Sequence, residues 1–358
     1  MNNKKKNRII YVAPALSSFI RNDISILSKK YEVTVNIYNW KNKILTPVYM
    51  FIQFFSILRY SSTTKAIIVS FGGYWALSPV LAGKLTGIPS YVILNGTDAA
   101  SFPSINYGNL RKFFLRFVIK RSLKLATLLL PVSSSLAFTK NTFYLEEGES
   151  GTIQGFKHFF PDIKTPYKVL HNGIDENFWK PSGQIKKEKN SFLSVFSGNQ
   201  QMFLKGGDMI MRMAEIFPDF NFYLVGLSKP SGLKNKNNNL FFIENLAPEE
   251  LKKYYNKSRF YLQLSIFEGF GMALCEAMLC ECVPIGSAVN IIPEIIGDTG
   301  FILEKREDEL LEQLLTKAAS TENLDELGKK ARERIIEKFS LKKREVELLS
   351  LIENQVIN

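Results

Sequence analysis

Short apolar runs alternate along this chain with longer stretches whose apolar positions recur every three or four residues. Arg8 to Ala13 is the first run, and Phe19, Ile20, Ile24 and Leu27 follow it at helical spacing. Tyr31 to Tyr38 alternates and is β-branched, which predicts a second strand. Lys65 to Phe71 and Ser90 to Leu94 continue the series, with a helix predicted from about Trp75 to Leu85 between them. Thr127 to Val132 predicts another strand, Ser133 to Ser135 the opening of a helix, and Tyr167 to Leu170 one more strand. A second series follows in Ser191 to Phe196, Phe220 to Val225, Leu240 to Ile243, Phe260 to Leu264 and Val283 to Gly286. Asp308 to Phe339 and Leu341 to Val356 read as helical. Strands alternating with helices predict parallel sheets covered on both faces, where ligands bind beyond the carboxyl ends of the strands. Two such series in 358 residues predict two α/β domains.

Three segments do not fit a plain βα pattern. Ile44 to Leu58 is the most hydrophobic window, but it is short for a membrane span and holds Thr46, Pro47, Gln53 and Ser56, so a core helix is expected, with a helix at a membrane interface as the alternative. In Asn109 to Ala126, the cations Arg111, Lys112, Arg116, Lys120, Arg121 and Lys124 interleave with Leu110, Phe113, Phe114, Phe117 and Val118. That spacing suits a helix lying on anionic lipid, or equally a surface helix whose aromatic stripe enters the core. Glu146 to Ile163 is polar and irregular and reads as an insertion or mobile loop.

Charge sharpens this picture. Residues 1–170 hold 22 Lys and Arg against 7 Asp and Glu, a balance of +15, whereas 171–358 hold 24 against 27, or −3. A basic first half calls for an acidic partner: an anionic membrane surface, a phosphate-bearing acceptor or nucleic acid. No nucleic-acid fold motif accompanies the basic stretch, so nucleic acid is not expected. Cys275, Cys280 and Cys282 lack the spacing of a metal site, with His158 and His171 over a hundred residues away, and are expected to be buried thiols of a reducing compartment. The basic start MNNKKKN runs into an apolar stretch broken by Pro14, not a persuasive secretory leader. A cytoplasmic protein is expected, with peripheral contact to the inner face of the cell membrane as the extension of that reading.

The richest chemistry lies between Ser265 and Gly300. Glu268 precedes the turn Gly269-Phe270-Gly271, and an apolar run from Met272 carries Glu276. Glycines let backbone N–H groups approach a ligand, and a helix starting near Gly271 would aim its free N–H groups at the same point, a seat for phosphate. Glu276 would lie about two turns inside that helix. The carboxylates would then accept hydrogen bonds from sugar hydroxyls beside the anion. The alternative is a buried βαβ turn with two solvated glutamates.

The E-x7-E pair within EGFGMALCEAM, followed by VPIGS and PEIIG, closely resembles the donor site of retaining glycosyltransferases of family 4. The resemblance implies a GT-B fold: two Rossmann-like, doubly wound parallel-sheet domains facing a cleft, with a C-terminal helix crossing back to the first. It implies an acceptor-binding domain over 1–171, joined by helix 341–358, and a nucleotide-sugar donor domain over 172–340, with HNGIDENFWKP at the connection. Glu268 would contact the transferred sugar and Glu276 the ribose. Lys205, in Leu204-Lys205-Gly206-Gly207-Asp208, would hold the diphosphate with the N–H groups of Gly269, Phe270, Gly271 and Met272. Gly198 and Asn199 would border the donor, and Asn245 and Leu246 would lie near the base. Asn95, in LNGTD, stands where the family often has a histidine, and it would orient a sugar hydroxyl without carrying a proton. Asn199 and Gln200 stand where the family usually has a phosphate-binding arginine. The activity implied is transfer from a nucleotide-diphosphate-sugar to a saccharide or lipid-linked acceptor in polysaccharide or lipid-linked oligosaccharide synthesis, with no metal or other cofactor. A catalytically weak donor-binding subunit supporting a partner enzyme is the competing reading.

Overall fold

The computed structural model of the chain describes residues 7–145, 150–230 and 238–354. The chain forms two compact units. One runs to Thr139 and takes in Ile153–Gly173 and the chain from Leu341 onward; the other holds Lys140–Thr152 and Ile174–Ser340.

The first unit contains, in order, β1 (Arg8–Val12), α1 (Ser18–Ser28), β2 (Glu32–Asn36), α2 (Thr46–Arg59), β3 (Thr64–Ser70), α3 (Tyr74–Thr86), β4 (Ser90–Leu94), α4 (Phe113–Leu125) and β5 (Leu128–Pro131). These strands form one parallel sheet in the order β2-β1-β3-β4-β5. Ile9 to Val12, Ala66 to Val69 and Tyr91 to Leu94 are all buried, the unbroken apolar pattern of strands covered on both faces. The step from β1 to β2 runs one way across the sheet and the next three steps run the other way. Right-handed crossovers therefore put α1 on one face and α2, α3 and α4 on the other. Accordingly, α3 packs between α2 and α4.

The chain then forms β6 (Thr139–Asn141) and β7 (Thr152–Gln154), a two-stranded sheet, and the single turn α5 (Phe156–Phe159). In the second unit follow β8 (Glu188–Val195), α6 (Gly207–Ile216), β9 (Asn221–Val225), β10 (Leu240–Ile243), α7 (Pro248–Lys257), β11 (Ser258–Gln263), α8 (Met272–Leu279), β12 (Val283–Ser287), α9 (Ile292–Ile296), β13 (Phe301–Leu303), α10 (Asp308–Ser320) and α11 (Leu324–Phe339). The sheet is again parallel, ordered β10-β9-β8-β11-β12-β13. Its core includes Phe192 stacked on Phe222 and Phe260, at 5.2 and 4.8 Å between ring centroids. The strand order reverses between β8 and β11, and this switch point is where ligands settle in such sheets.

A last helix, α12 (Leu341–Glu353), belongs to the first unit and packs on α1. Its buried Arg344 donates to both oxygens of Asp23 at 2.9 and 2.8 Å and to the carbonyls of Leu170 and His171 at 2.8 and 2.9 Å. The Tyr11 hydroxyl completes the cluster on Asp23 Oδ2 at 2.9 Å. The expected return of the terminal helix is thus present, and residues 355–358 lie outside the described residues.

Several local expectations need correction. The hydrophobic window at Ile44 to Leu58 is not a core helix. Thr46, Gln53 and Ile57 of α2 are buried while Val48, Phe51, Ile52 and Phe55 face outward, because the inward polar groups have partners such as Asn36 Oδ1 for the Gln53 amide (2.8 Å). In α4 the side chains in the core are Leu115, Ile119, Ser122 and Leu123; Phe113, Phe114 and Phe117 are exposed, so the aromatic stripe does not enter the core. Ser134–Leu136 is a single 3-10 turn, not the opening of a full helix. Tyr167 to Leu170 follows the edge of β5, with Lys168 N–H on the Leu129 carbonyl and Leu170 N–H on that of Pro131, but forms only one isolated bridge. Of the stretch expected to be irregular, residues 150–163 include β7 and α5, and residues 146–149 lie outside the described residues, as does the polar start before Asn7.

Candidate active site

The switch point of the second sheet gathers most of the acidic and glycine residues singled out in the sequence. After β11 the chain runs through Leu264 to Gly271 before α8. Gly271 takes φ +96°, a left-handed conformation that glycine adopts without penalty, and it caps the helix. The first intrahelical bond is Cys275 N–H to the Gly271 carbonyl, so the N–H groups of Met272, Ala273 and Leu274 open the helix toward the strand ends. This is the place where the glycine turn leads to the expectation of a phosphate seat.

Glu268 is held on the rim of this seat. Gln263 Nε2 donates to its Oε2 at 2.9 Å and Ser265 Oγ does so at 3.4 Å. The Glu268 N–H donates to Asn290 Oδ1 at 3.1 Å, which fixes the backbone beneath the carboxylate. Gln263 is oriented in turn, because its Oε1 accepts the buried Tyr261 hydroxyl at 3.1 Å. Burial raises the Tyr261 phenol well above its usual range, and the nearby charges of Glu268 and Glu276 add to this, so it stays a donor.

Glu276 is the fifth residue of α8, about one turn in and not the expected two, because its five positions from Gly271 make less than a turn and a half at about 3.6 residues per turn. It is buried, and burial lifts its carboxyl to about 7, against the opposing pull of the Tyr255 hydroxyl and the Lys205 charge. The Tyr255 hydroxyl donates to Glu276 Oε2 at 3.2 Å. Lys205 therefore sits within electrostatic reach of Glu276, and its ammonium donates to the Val195 carbonyl at the end of β8 (3.3 Å). Gly206 follows with φ +73°; a Cβ there would lie 2.6 Å from Leu264 Cβ and 2.8 Å from the Leu264 carbonyl. Only glycine lets the start of α6 approach the loop after β11. Ile266 N–H on the Leu204 carbonyl (2.8 Å) ties the same two loops together.

Beside this seat lies a pocket of about 410 Å³ lined by Gly198, Asn199, Gln200, Gly226, Leu227, Ser228, Glu244 and Asn245. It unites Gly198, Asn199 and Asn245 as the sequence suggested, while Leu246 falls one residue beyond the lining. A Cβ on Gly226 would lie 2.0 Å from the Phe196 carbonyl, so the pocket floor requires glycine. Asn199 Oδ1 accepts the Ser228 N–H (2.9 Å) and Gln200 Nε2 donates to the Ser197 carbonyl (2.9 Å). The two residues at the arginine position thus serve the loop and bring no charge.

The remaining candidates are in the first unit. Asn95 follows β4; its Nδ2 donates to Ser70 Oγ (3.2 Å) and the Ile93 carbonyl (3.3 Å), while its Oδ1 is buried without a partner. Asp98, which the sequence reading did not single out as a site residue, accepts the N–H of Gly72 on Oδ2 (2.8 Å) and those of Asn95 and Gly96 on Oδ1 (3.1 and 3.0 Å). It binds the glycine loops after β3 and β4 into one cluster, and burial lifts its carboxyl to about 6 against those N–H groups. The basic patch is divided. Arg116 lies over Phe159, and Lys120 and Lys124 pair with Asp162 at 3.0 and 2.6 Å. Arg121 lies over Phe117, Lys112 precedes α4, and Arg111 has a buried Nε without a partner.

Sequence reasoning missed Gln263, Ser265, Tyr255, Tyr261 and Asn290. The polar pair Gln263 and Ser265 at the end of the apolar run Phe260 to Leu264 was a visible clue. Tyr255 gave none, since its partner Glu276 lies on another helix, and Tyr261 reads as one more strand residue although its partner Gln263 is two positions away. Among the described residues no group of three or more His, Cys, Asp or Glu is arranged to hold a metal ion.

Residues 175–338, just under half of the chain, match the family model described as glycosyl transferases group 1. N-acetyl-alpha-D-glucosaminyl L-malate synthase of Bacillus anthracis is 29% identical over 201 residues, 51% of each chain. Trehalose synthase of Thermococcus litoralis is 36% identical over 105 residues, 29% of this chain and 25% of that one. The chain thus spans about half, or less, of the length of these relatives. Among solved structures, sucrose-phosphate synthase from Thermosynechococcus elongatus superposes with a TM-score of 0.72 at 14% identity, covering 97% of this chain and 98% of that one. HepE of Anabaena in complex with UDP-glucose gives 0.69 at 14% identity, covering 97% and 100%. These likenesses establish the fold: two Rossmann-like units with a returning terminal helix, the GT-B architecture.

Proposed function

We propose that the chain is a retaining glycosyltransferase that takes a sugar from a nucleotide-diphosphate-sugar bound in its second unit. The observation that carries this reading is the pair Glu268 and Glu276 around the glycine-opened start of α8, with Lys205 in electrostatic reach of Glu276. The N–H groups at the helix start and the Lys205 ammonium stabilise negative charge as it develops on the leaving diphosphate. Glu276 accepts the ribose hydroxyls, the 410 Å³ pocket takes the base, and Glu268, oriented by Gln263, contacts the transferred sugar. The leaving phosphate takes the acceptor proton, so no histidine, metal or cofactor is required. The glycine loops of the first unit, with Asn95, face a saccharide or lipid-linked acceptor, in cell-surface polysaccharide or lipid-linked oligosaccharide synthesis. The reading places the protein in the cytoplasm, with the α4 cations touching an anionic membrane.

Single-turnover transfer from a UDP- or GDP-sugar to a saccharide acceptor, with the product anomer read by NMR, tests this. A product with the anomeric configuration of the donor supports retention, and the inverted anomer refutes it. The uncharged Asn199 and Gln200 favour a second reading, a donor-binding subunit without turnover, which predicts nucleotide binding with no transfer.

A further inference from the structure

We infer that the outer surface of the α2–α3–α4 layer is a membrane-docking surface for an anionic lipid leaflet, in which α2 inserts an apolar stripe beside the aromatic start of α4. This rests on the membrane contact proposed above and extends it from the cations of α4 to three neighbouring helices.

The outward side of α2 is apolar, while its buried side mixes Thr46 and Gln53 with Ile57. A helix covering a sheet turns its apolar stripe inward and its polar side outward. Here Val48, Phe51, Ile52 and Phe55 face outward at successive turns, with the Phe51 and Phe55 rings 4.5 Å apart, while Thr46 and Gln53 are buried. On α4, Phe113 is 80% and Phe114 75% exposed, and Phe117 lies one turn on. Between them α3 exposes Leu81 and Leu85. Because all three helices lie on the same face of the sheet, these outward side chains belong to one side of the first unit.

Charge selects the occupant. The three helices carry Arg59, Lys84, Arg116, Lys120, Arg121 and Lys124 and not one Asp or Glu. Lys41 and Lys43 lead into α2, and Arg111 and Lys112 into α4. A second copy would bring the same charge against this surface, and a protein interface ordinarily carries a rim of mixed polarity. Asp162 pairs with Lys120 and Lys124, but the apolar and aromatic side chains remain flanked by Arg59, Lys84, Arg116 and Arg121 and match a leaflet of acidic headgroups over acyl chains. No helix among the described residues is long and apolar enough to cross a membrane, so this contact lies on the leaflet.

The test is flotation of the full chain with vesicles of phosphatidylcholine alone and of phosphatidylcholine mixed with phosphatidylglycerol. Phe51→Ser with Phe55→Ser, and Phe113→Ser with Phe114→Ser, are compared with the unsubstituted protein, and circular dichroism melting confirms that each variant folds. The proposal expects flotation with the anionic vesicles only, weakened but not abolished by salt, and lowered about tenfold by either pair of substitutions. If only the α4 pair lowers it, the α2 stripe is excluded and the simpler α4 contact stands. If the unsubstituted protein floats with neither vesicle, both fail. A concentration-dependent dimer in gel filtration, lost in the Phe51/Phe55 variant without vesicle binding, would make the face an interface between copies and overturn the proposal.

Discussion

Gln263 stands between Tyr261 and Glu268: its Oε1 accepts the Tyr261 hydroxyl at 3.1 Å and its Nε2 donates to Glu268 Oε2 at 2.9 Å. The carboxylate proposed to face the transferred sugar is thus aimed by an amide that is itself pinned from the core. Gln263→Leu keeps much of the volume and removes the aim. Turnover is expected to fall about 10- to 100-fold with donor affinity nearly unchanged, since misplacement by about an ångström costs on that order. Steady-state kinetics with a separate donor-binding measurement checks the split.

Glu276 makes stability depend on pH in a defined direction. Its carboxyl is raised by burial from 4.5 to about 7, so the folded state holds a proton that the unfolded chain releases at lower pH. The favourable contribution is complete below about 4.5 and is lost as pH rises through about 7. Glu276→Gln, which cannot ionise, should therefore become the more stable protein relative to the original as pH increases from 5 to 8. The gain should reach about 3 kcal/mol, as the size of the shift implies. Denaturant titrations across that range check it; a gap between the two proteins that does not change with pH refutes it.

Arg344 and Asp23 form a buried pair whose other hydrogen bonds end on Tyr11 and on the carbonyls of Leu170 and His171. Removing one partner leaves a charge buried without compensation. Arg344→Leu is expected to cost about 3–5 kcal/mol, and adding Asp23→Leu should recover a large part of it. Equilibrium unfolding of the two single variants and the double variant measures the coupling.

Asp98 gathers three N–H groups on two carboxylate oxygens. The amide of Asp98→Asn can accept on one side only, so at least one of those buried N–H groups loses its partner, at about 1–3 kcal/mol. Nucleotide binding, assigned to the second unit, should be unaffected. Calorimetric unfolding alongside nucleotide titration distinguishes this local loss from general misfolding.

Much of the fold was legible because its signals are local. Runs such as Ile9 to Val12 and Ala66 to Val69 are apolar without interruption, as strands covered on both faces must be, and the glycines at 206 and 271 mark helix starts in the sequence itself. The E-x7-E pair fixed the acidic side chains of the site for the same reason. What failed depended on partners distant in the chain. The inward face of α2 can hold Gln53 because Asn36 receives its amide, and neither residue indicates this alone. Tyr255 and Asn290 reach Glu276 and Glu268 from 21 and 22 positions away, a relation that only the folded sheet creates.

The central claim is a nucleotide-sugar site at the start of α8, and thermal unfolding of the purified protein with a panel of nucleoside diphosphates and sugar nucleotides tests it most directly. Lys205→Ala and Glu276→Ala are run in parallel. A ligand at about 100 times its dissociation constant should add about 2.7 kcal/mol of stability. The account predicts that nucleotides of one base protect the unsubstituted protein and that both substitutions largely remove the effect. Protection by none of the panel, or protection that survives both substitutions, would contradict it.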